Sequence, residues 1–97
     1  MIKMRLKDIA EVKTNFPDAD FWIQRKGSKE NVGKPTKTFS PENIGIKVVK
    51  TDVVDPNYLK YVFEYLFTSG AFKPLAKGTL NLQHLPLDAI RNANIGN

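Results

Sequence analysis

The chain has 97 residues, fifteen Lys or Arg against ten Asp or Glu, a net charge of +5 and a hydrophobic fraction of 41%. That length predicts one domain around one core, 1–97, and is too short to hold a substrate domain plus a separate catalytic domain. The lack of cysteine and the single histidine exclude a disulfide framework and leave a zinc site almost without ligands.

No run approaches the roughly 20 apolar residues of a membrane span, and the charged opening MIKMRLKDIAEVK lacks the apolar stretch of a signal peptide. A cytoplasmic protein is expected. Residues 1 to 50 hold eleven Lys or Arg against six Asp or Glu, whereas residues 51 to 97 hold four against four. A basic excess confined to one half predicts a positive face suited to a polyanion.

In chain order, Ile2, Met4 and Leu6 alternate with charged residues, the period of an edge strand, and the alternative is one helical turn at Lys7 to Ala10 with Leu6, Ile9 and Ala10 inward; the segment is too short to separate the two. Glu11 to Thr14 reads as extended, and Asn15 to Asp18 as a turn set by Pro17. Phe21 to Arg25, FWIQR, is rich in β-formers. Alternation puts Phe21, Ile23 and Arg25 on one side and Trp22 and Gln24 on the other. Trp22 is expected to close the core beside the principal helix, with stacking on a base or ligand as the competing role.

Lys26 to Glu42 is the longest polar stretch. It reads either as a solvated hairpin loop or as a basic, hydroxyl-rich loop whose Lys26, Lys29, Lys34 and Lys37 neutralise phosphates. Neither G-x-x-x-x-G-K-[ST] nor G-x-G-x-x-G is present, so those modes of nucleotide binding are unsupported. Asn43 to Lys50 predicts a strand with Ile44, Ile46 and Val48 on one face.

The best-defined element is DPNYLKYVFEYLFTSG, Asp55 to Gly70. Asp55 is a suitable N-cap, Pro56 suits the first helical position, and Gly70 suits the stop. Leu59, Val62, Phe63, Leu66 and Phe67 share one face. Tyr58, Tyr61 and Tyr65 follow the same spacing alongside, which predicts a helix covered over more than half its circumference. Short helical turns are expected at Ala71–Ala76 and Pro86–Ile90, Leu80 and Leu82 alternate with polar residues between them, and Ala93 to Ile95 suits a last extended piece.

Catalysis is poorly supplied. His84 is the one imidazole and sits where a structural histidine is the simpler reading. Asp18, Asp20 and Glu30 offer a weak metal-nuclease alternative, and neither a catalytic nor a metal site, nor a cofactor, is expected.

Four segments, in order, resemble landmarks of the target recognition domain in the DNA specificity subunits of type I restriction-modification enzymes. LKDIAEVKTNF (Leu6 to Phe16) matches an opening leu-x-x-ile-ala element, and RKGSKENVGK (Arg25 to Lys34) an arg-x-gly-ser strand end. DPNYLKYVFEYL (Asp55 to Leu66) matches a helix introduced by asp-pro-x-tyr-leu, and AKGTLNLQHLPLDAIRNANI (Ala76 to Ile95) a gly-thr turn followed by leu-x-x-ile.

The resemblance implies an α/β (α+β) fold, a twisted, mainly antiparallel sheet against one principal helix, with duplex DNA as partner. It implies phosphate contacts from Arg25, Lys26, Lys29, Lys34 and Lys37, and base-edge contacts from Gln24, Ser28, Asn31 and Thr36, since Gln and Asn suit bidentate pairing with adenine. Gly78-Thr79 and Gln83-His84 fit a structural turn. The Lys26 to Lys50 connection is shorter than is usual for such domains, and no long spacer helix precedes the end at Asn97. A minimal, single recognition domain is therefore expected, of a size suited to a phage or mobile element, with restriction-modification subunits or a second copy as further partners. The alternative is a protein-interaction regulator that keeps the fold, docks on a restriction or replication complex and does not bind DNA.

Overall fold

The computed structural model describes residues 4–79 and 81–95. The chain forms β1 (Ala10–Thr14), β2 (Phe21–Ile23), β3 (Lys26–Gly27), β4 (Pro35–Thr36), β5 (Ile44–Val48), α1 (Pro56–Thr68), β6 (Lys77–Gly78), β7 (Gln83–His84) and α2 (Leu87–Arg91). The fold is α+β, with two antiparallel sheets rather than one: β1-β5-β2-β4, and a three-stranded β3-β7-β6.

The larger sheet is built on β5. Its Ile44, Ile46 and Val48 are buried on one face, opposite Thr14, Val12 and Ala10 of β1, while Ile44 and Ile46 also pair with Ile23 and Phe21 of β2. That shared face receives α1. Asp55 caps the helix by accepting from the Asn57 N–H at 3.4 Å, Pro56 occupies the first turn, and Gly70 takes a positive φ of 82° just beyond the Ser69 C-cap. Leu59 and Phe63 are buried, with Val62, Leu66 and Phe67 packed partly against the same cluster. The Phe63 ring meets Phe21 edge-on at 5.5 Å and lies 5.8 Å from Phe72, tying helix, sheet and the following turn together.

The tyrosine stripe departs from expectation. Tyr58, Tyr61 and Tyr65 are 63%, 70% and 69% exposed. One sheet covers one face of the helix, and nothing among the described residues covers the next. Trp22 is buried, as expected, but not beside α1. It alternates with Phe21 and Ile23, so it lies on the opposite face of the sheet, donating from Nε1 to the Phe16 carbonyl at 2.9 Å and packing edge-on against Phe39. Gly45 is its cross-strand partner. A Cβ there would lie 2.8 Å from that of Phe16 and 3.1 Å from Trp22 Nε1, so the glycine makes room for the indole.

The first and last described segments meet. Part of the expected Met1–Leu6 strand lies outside the described residues. Of the rest, Arg5 forms a bridge with Asn94, and Leu6–Asp8 is a 3-10 turn that buries Leu6 and Ile9. The Asp8 carboxylate accepts from the Arg5 N–H at 3.0 Å, holding that turn. Ala93–Ile95 is extended, its Ile95 N–H donating to the Met4 carbonyl and its Ala93 carbonyl accepting from Leu6. Phe72 is buried at the start of the 3-10 turn Lys73–Leu75. Leu80 lies outside the described residues, and Leu82 is exposed.

Strand β1 is an edge, which α2 protects: Arg91 donates to the Val12 carbonyl from Nε at 3.0 Å and from Nη2 at 2.8 Å. Replacing Arg91 by alanine removes both donors and is expected to cost about 1–3 kcal/mol, read as a lower urea midpoint with an unchanged slope.

Candidate nucleic-acid interface

The second sheet is made from the two polar motifs, RKGS and KGT…QH. Arg25 and Leu85 exchange hydrogen bonds: the Leu85 N–H donates to the Arg25 carbonyl at 2.9 Å, and Arg25 Nε donates to the Leu85 carbonyl at 3.3 Å. Leu85 is fully buried, so this exchange anchors the sheet to the core. The β6-β7 turn is closed by Thr79, whose Oγ1 accepts from the Leu82 N–H at 3.2 Å, and by Gly78 with a φ of 114°. A Cβ on Gly78 would strike the Leu82 carbonyl, which accounts for glycine at that position.

Register then decides what the sheet presents. His84 of the central strand lies opposite Lys26 on one side and Lys77 on the other. Directly paired residues point to the same face, so Lys26, His84 and Lys77 form a row, and all three are exposed. Gln83, flanked by Gly27 and Gly78, belongs to the other face.

The segment from Ser28 to Lys34 is not the loosely solvated loop its composition suggests. Val32 is buried in the core, with its N–H and that of Asn31 both donating to the Ser28 carbonyl. Gln24 brackets the segment by donating to the Lys34 carbonyl and accepting from the Gly33 N–H at 2.8 Å.

The polar residues expected to reach base edges all take part in intramolecular bonds. Gln24 Nε2 donates to the Lys26 carbonyl at 2.8 Å, Asn31 Nδ2 donates to Ser28 Oγ at 3.1 Å, and Thr36 Oγ1 accepts from the Thr38 N–H at 3.1 Å. Asn31 is exposed, whereas Gln24, Ser28 and Thr36 are half-buried. Half-buried Arg25 is committed through Nε to Leu85.

The expected phosphate-binding lysines divide into two groups. Lys26 joins the row with His84 and Lys77, while Lys29, Lys34 and Lys37, all exposed, line hollows beside α1. The fold is shared with a crystal structure of a type I restriction-modification system S subunit from M. genitalium, matched over 96% of this chain with a TM-score of 0.73 and 12% identity. At that identity the likeness is one of fold. The chain spans about a third of that protein's length. No protein-family model matches the sequence, and no curated protein matches it.

Lys77 and His84 escape sequence reasoning as members of a site. Lys77 stands in the charge-balanced half, and His84 fits a structural turn. The row exists only because His84 pairs with the remote Lys26 on one side while Lys77 pairs with His84 on the other. Of the three carboxylates considered for a metal, Asp20 accepts from the Val48 N–H at 2.8 Å as a sheet-closing residue, Asp18 is exposed on its turn and Glu30 lies beside α1. Among the described residues no group of three or more His, Asp or Glu is arranged to hold a metal ion, and no helix is long and apolar enough to cross a membrane.

Proposed function

We propose that this chain is a duplex DNA recognition module of the restriction-modification specificity type, acting by binding and not by catalysis. The observation that carries this reading is the shared fold with the S subunit over nearly the whole chain. The basic row supports it independently. Lys26, Lys77 and His84 stand on one exposed face of a rigidly anchored sheet, suited to neighbouring phosphates, while the adjoining Ser28–Asn31 turn offers an amide for base edges. Arg25 serves this reading by positioning the sheet through Leu85. Modification and restriction subunits are the proposed protein partners.

Selection from a randomised duplex pool at two salt concentrations tests the reading. Enrichment of a short motif is expected, with affinity falling as salt rises. No duplex binding at low salt would sink it and favour a regulator that binds only protein.

A further inference from the structure

Three hollows run end to end along α1, on the side where it meets the segment from β3 through β4 to Lys37. The first is lined by Lys37, Lys60, Tyr61 and Glu64, the second by Lys34, Glu64, Phe67 and Thr68, and the third by Lys29, Phe67, Thr68 and Lys73. Glu64 belongs to the first two, and Phe67 and Thr68 to the last two, so they form one groove following the helix. The 13 residues of α1 give it a length of about 20 Å.

Lys37, Lys34 and Lys29 line one wall in order, and Lys60 and Lys73 stand on the other. Against these five lysines are two glutamates, Glu30 and Glu64, and Glu64 is tied to Lys60 at 2.8 Å. Tyr61 and Phe67 supply aromatic surface within the groove, and exposed Tyr58 and Tyr65 continue the stripe from Tyr61.

We propose that this groove binds a single polynucleotide strand, its phosphates along the lysines and its unpaired bases against the aromatic rings. The combination favours a single strand over a duplex because a duplex hides its base faces in its own stack, whereas each unpaired base has a free π-face. An acidic protein would satisfy the lysines but would leave the rings without stacking partners. The groove shares no residue with the Lys26, His84 and Lys77 row, so the two sites separate by mutation.

The test is fluorescence anisotropy of the intact chain with labelled oligothymidylate and oligouridylate of about ten nucleotides, and a duplex of equal length, at about 50 and 200 mM salt. Both single strands are expected to bind and to weaken with salt; a preference between them identifies DNA or RNA as the source. Tyr61→Ala is expected to weaken single-strand binding about tenfold while leaving duplex binding unchanged. Lys34→Gln with Lys37→Gln is expected to reduce the single-strand salt slope by about 1.4. Lys26→Ala with Lys77→Ala should leave single-strand binding intact even where duplex binding is lost. The proposal is overturned by absence of single-strand binding at the lower salt, by equal competition from polyglutamate, or by a Tyr61→Ala protein of unchanged circular dichroism that binds the strands as tightly as before.

Discussion

Alanine in place of Phe63 is expected to lower the unfolding free energy by about 3–5 kcal/mol. The side chain has no exposed surface and joins three parts of the fold: the helix that bears it, Phe21 of β2 and Phe72 beyond the helix. Truncation removes two aromatic contacts and leaves a void whose walls belong to different elements, so the site cannot collapse easily. For a small domain, whose whole stability is about 5–15 kcal/mol, the loss is a large fraction of the total. Urea unfolding followed through Trp22, which is buried on the opposite face of the sheet, gives the measurement. Tyr61→Ala on the same helix is the control, expected within about 0.5 kcal/mol of wild type because its ring is mostly in water. Equal losses at the two positions would contradict the packing of α1.

That contrast also marks where sequence reading reaches its limit. The cap, start, apolar face and stop of α1 are legible because they are local: Asp55, Pro56 and Gly70 act through their own backbone, and Leu59 and Phe63 through spacing. Periodicity cannot say how many neighbours a helix has. Tyr58, Tyr61 and Tyr65 fit a second buried face as well as Leu59 and Phe63 fit the first, and the width of the sheet decides between the two. The strand Ile44–Val48 is legible for the same local reason as the helix.

The small sheet was not legible, since strands of two residues have no period and the strand that completes it, β3, is remote in the chain from the local β6-β7 hairpin. The charge of the Lys26 to Lys37 segment could be read, but not its internal hydrogen bonding. Val32 sits alone among polar residues, and its burial depends on the hydrogen bonds that Gln24 and Ser28 make around it.

The larger functional effect is expected from removing both flanking lysines of the basic row. In Lys26→Ala with Lys77→Ala, two cations on either side of His84 disappear from an exposed face while the backbone pairing that holds the sheet is retained. Each phosphate neutralised contributes about 0.9 to the slope of log K against log salt for a duplex, so the slope should fall by about 1.8. Taken from a reference near 1 M, that change corresponds to a loss of tens of fold in affinity near 0.1 M salt, on the order of fiftyfold. Because phosphate contacts hold no sequence information, the loss should be nearly uniform across duplexes and the preferred motif unchanged. Asn31→Ala is the complementary variant: it removes an exposed amide, leaves the charge untouched, and should alter motif preference with little change in salt slope. A double lysine variant that kept the wild-type slope would remove the sheet from the interface, and duplex contact would then have to come from another surface of the molecule.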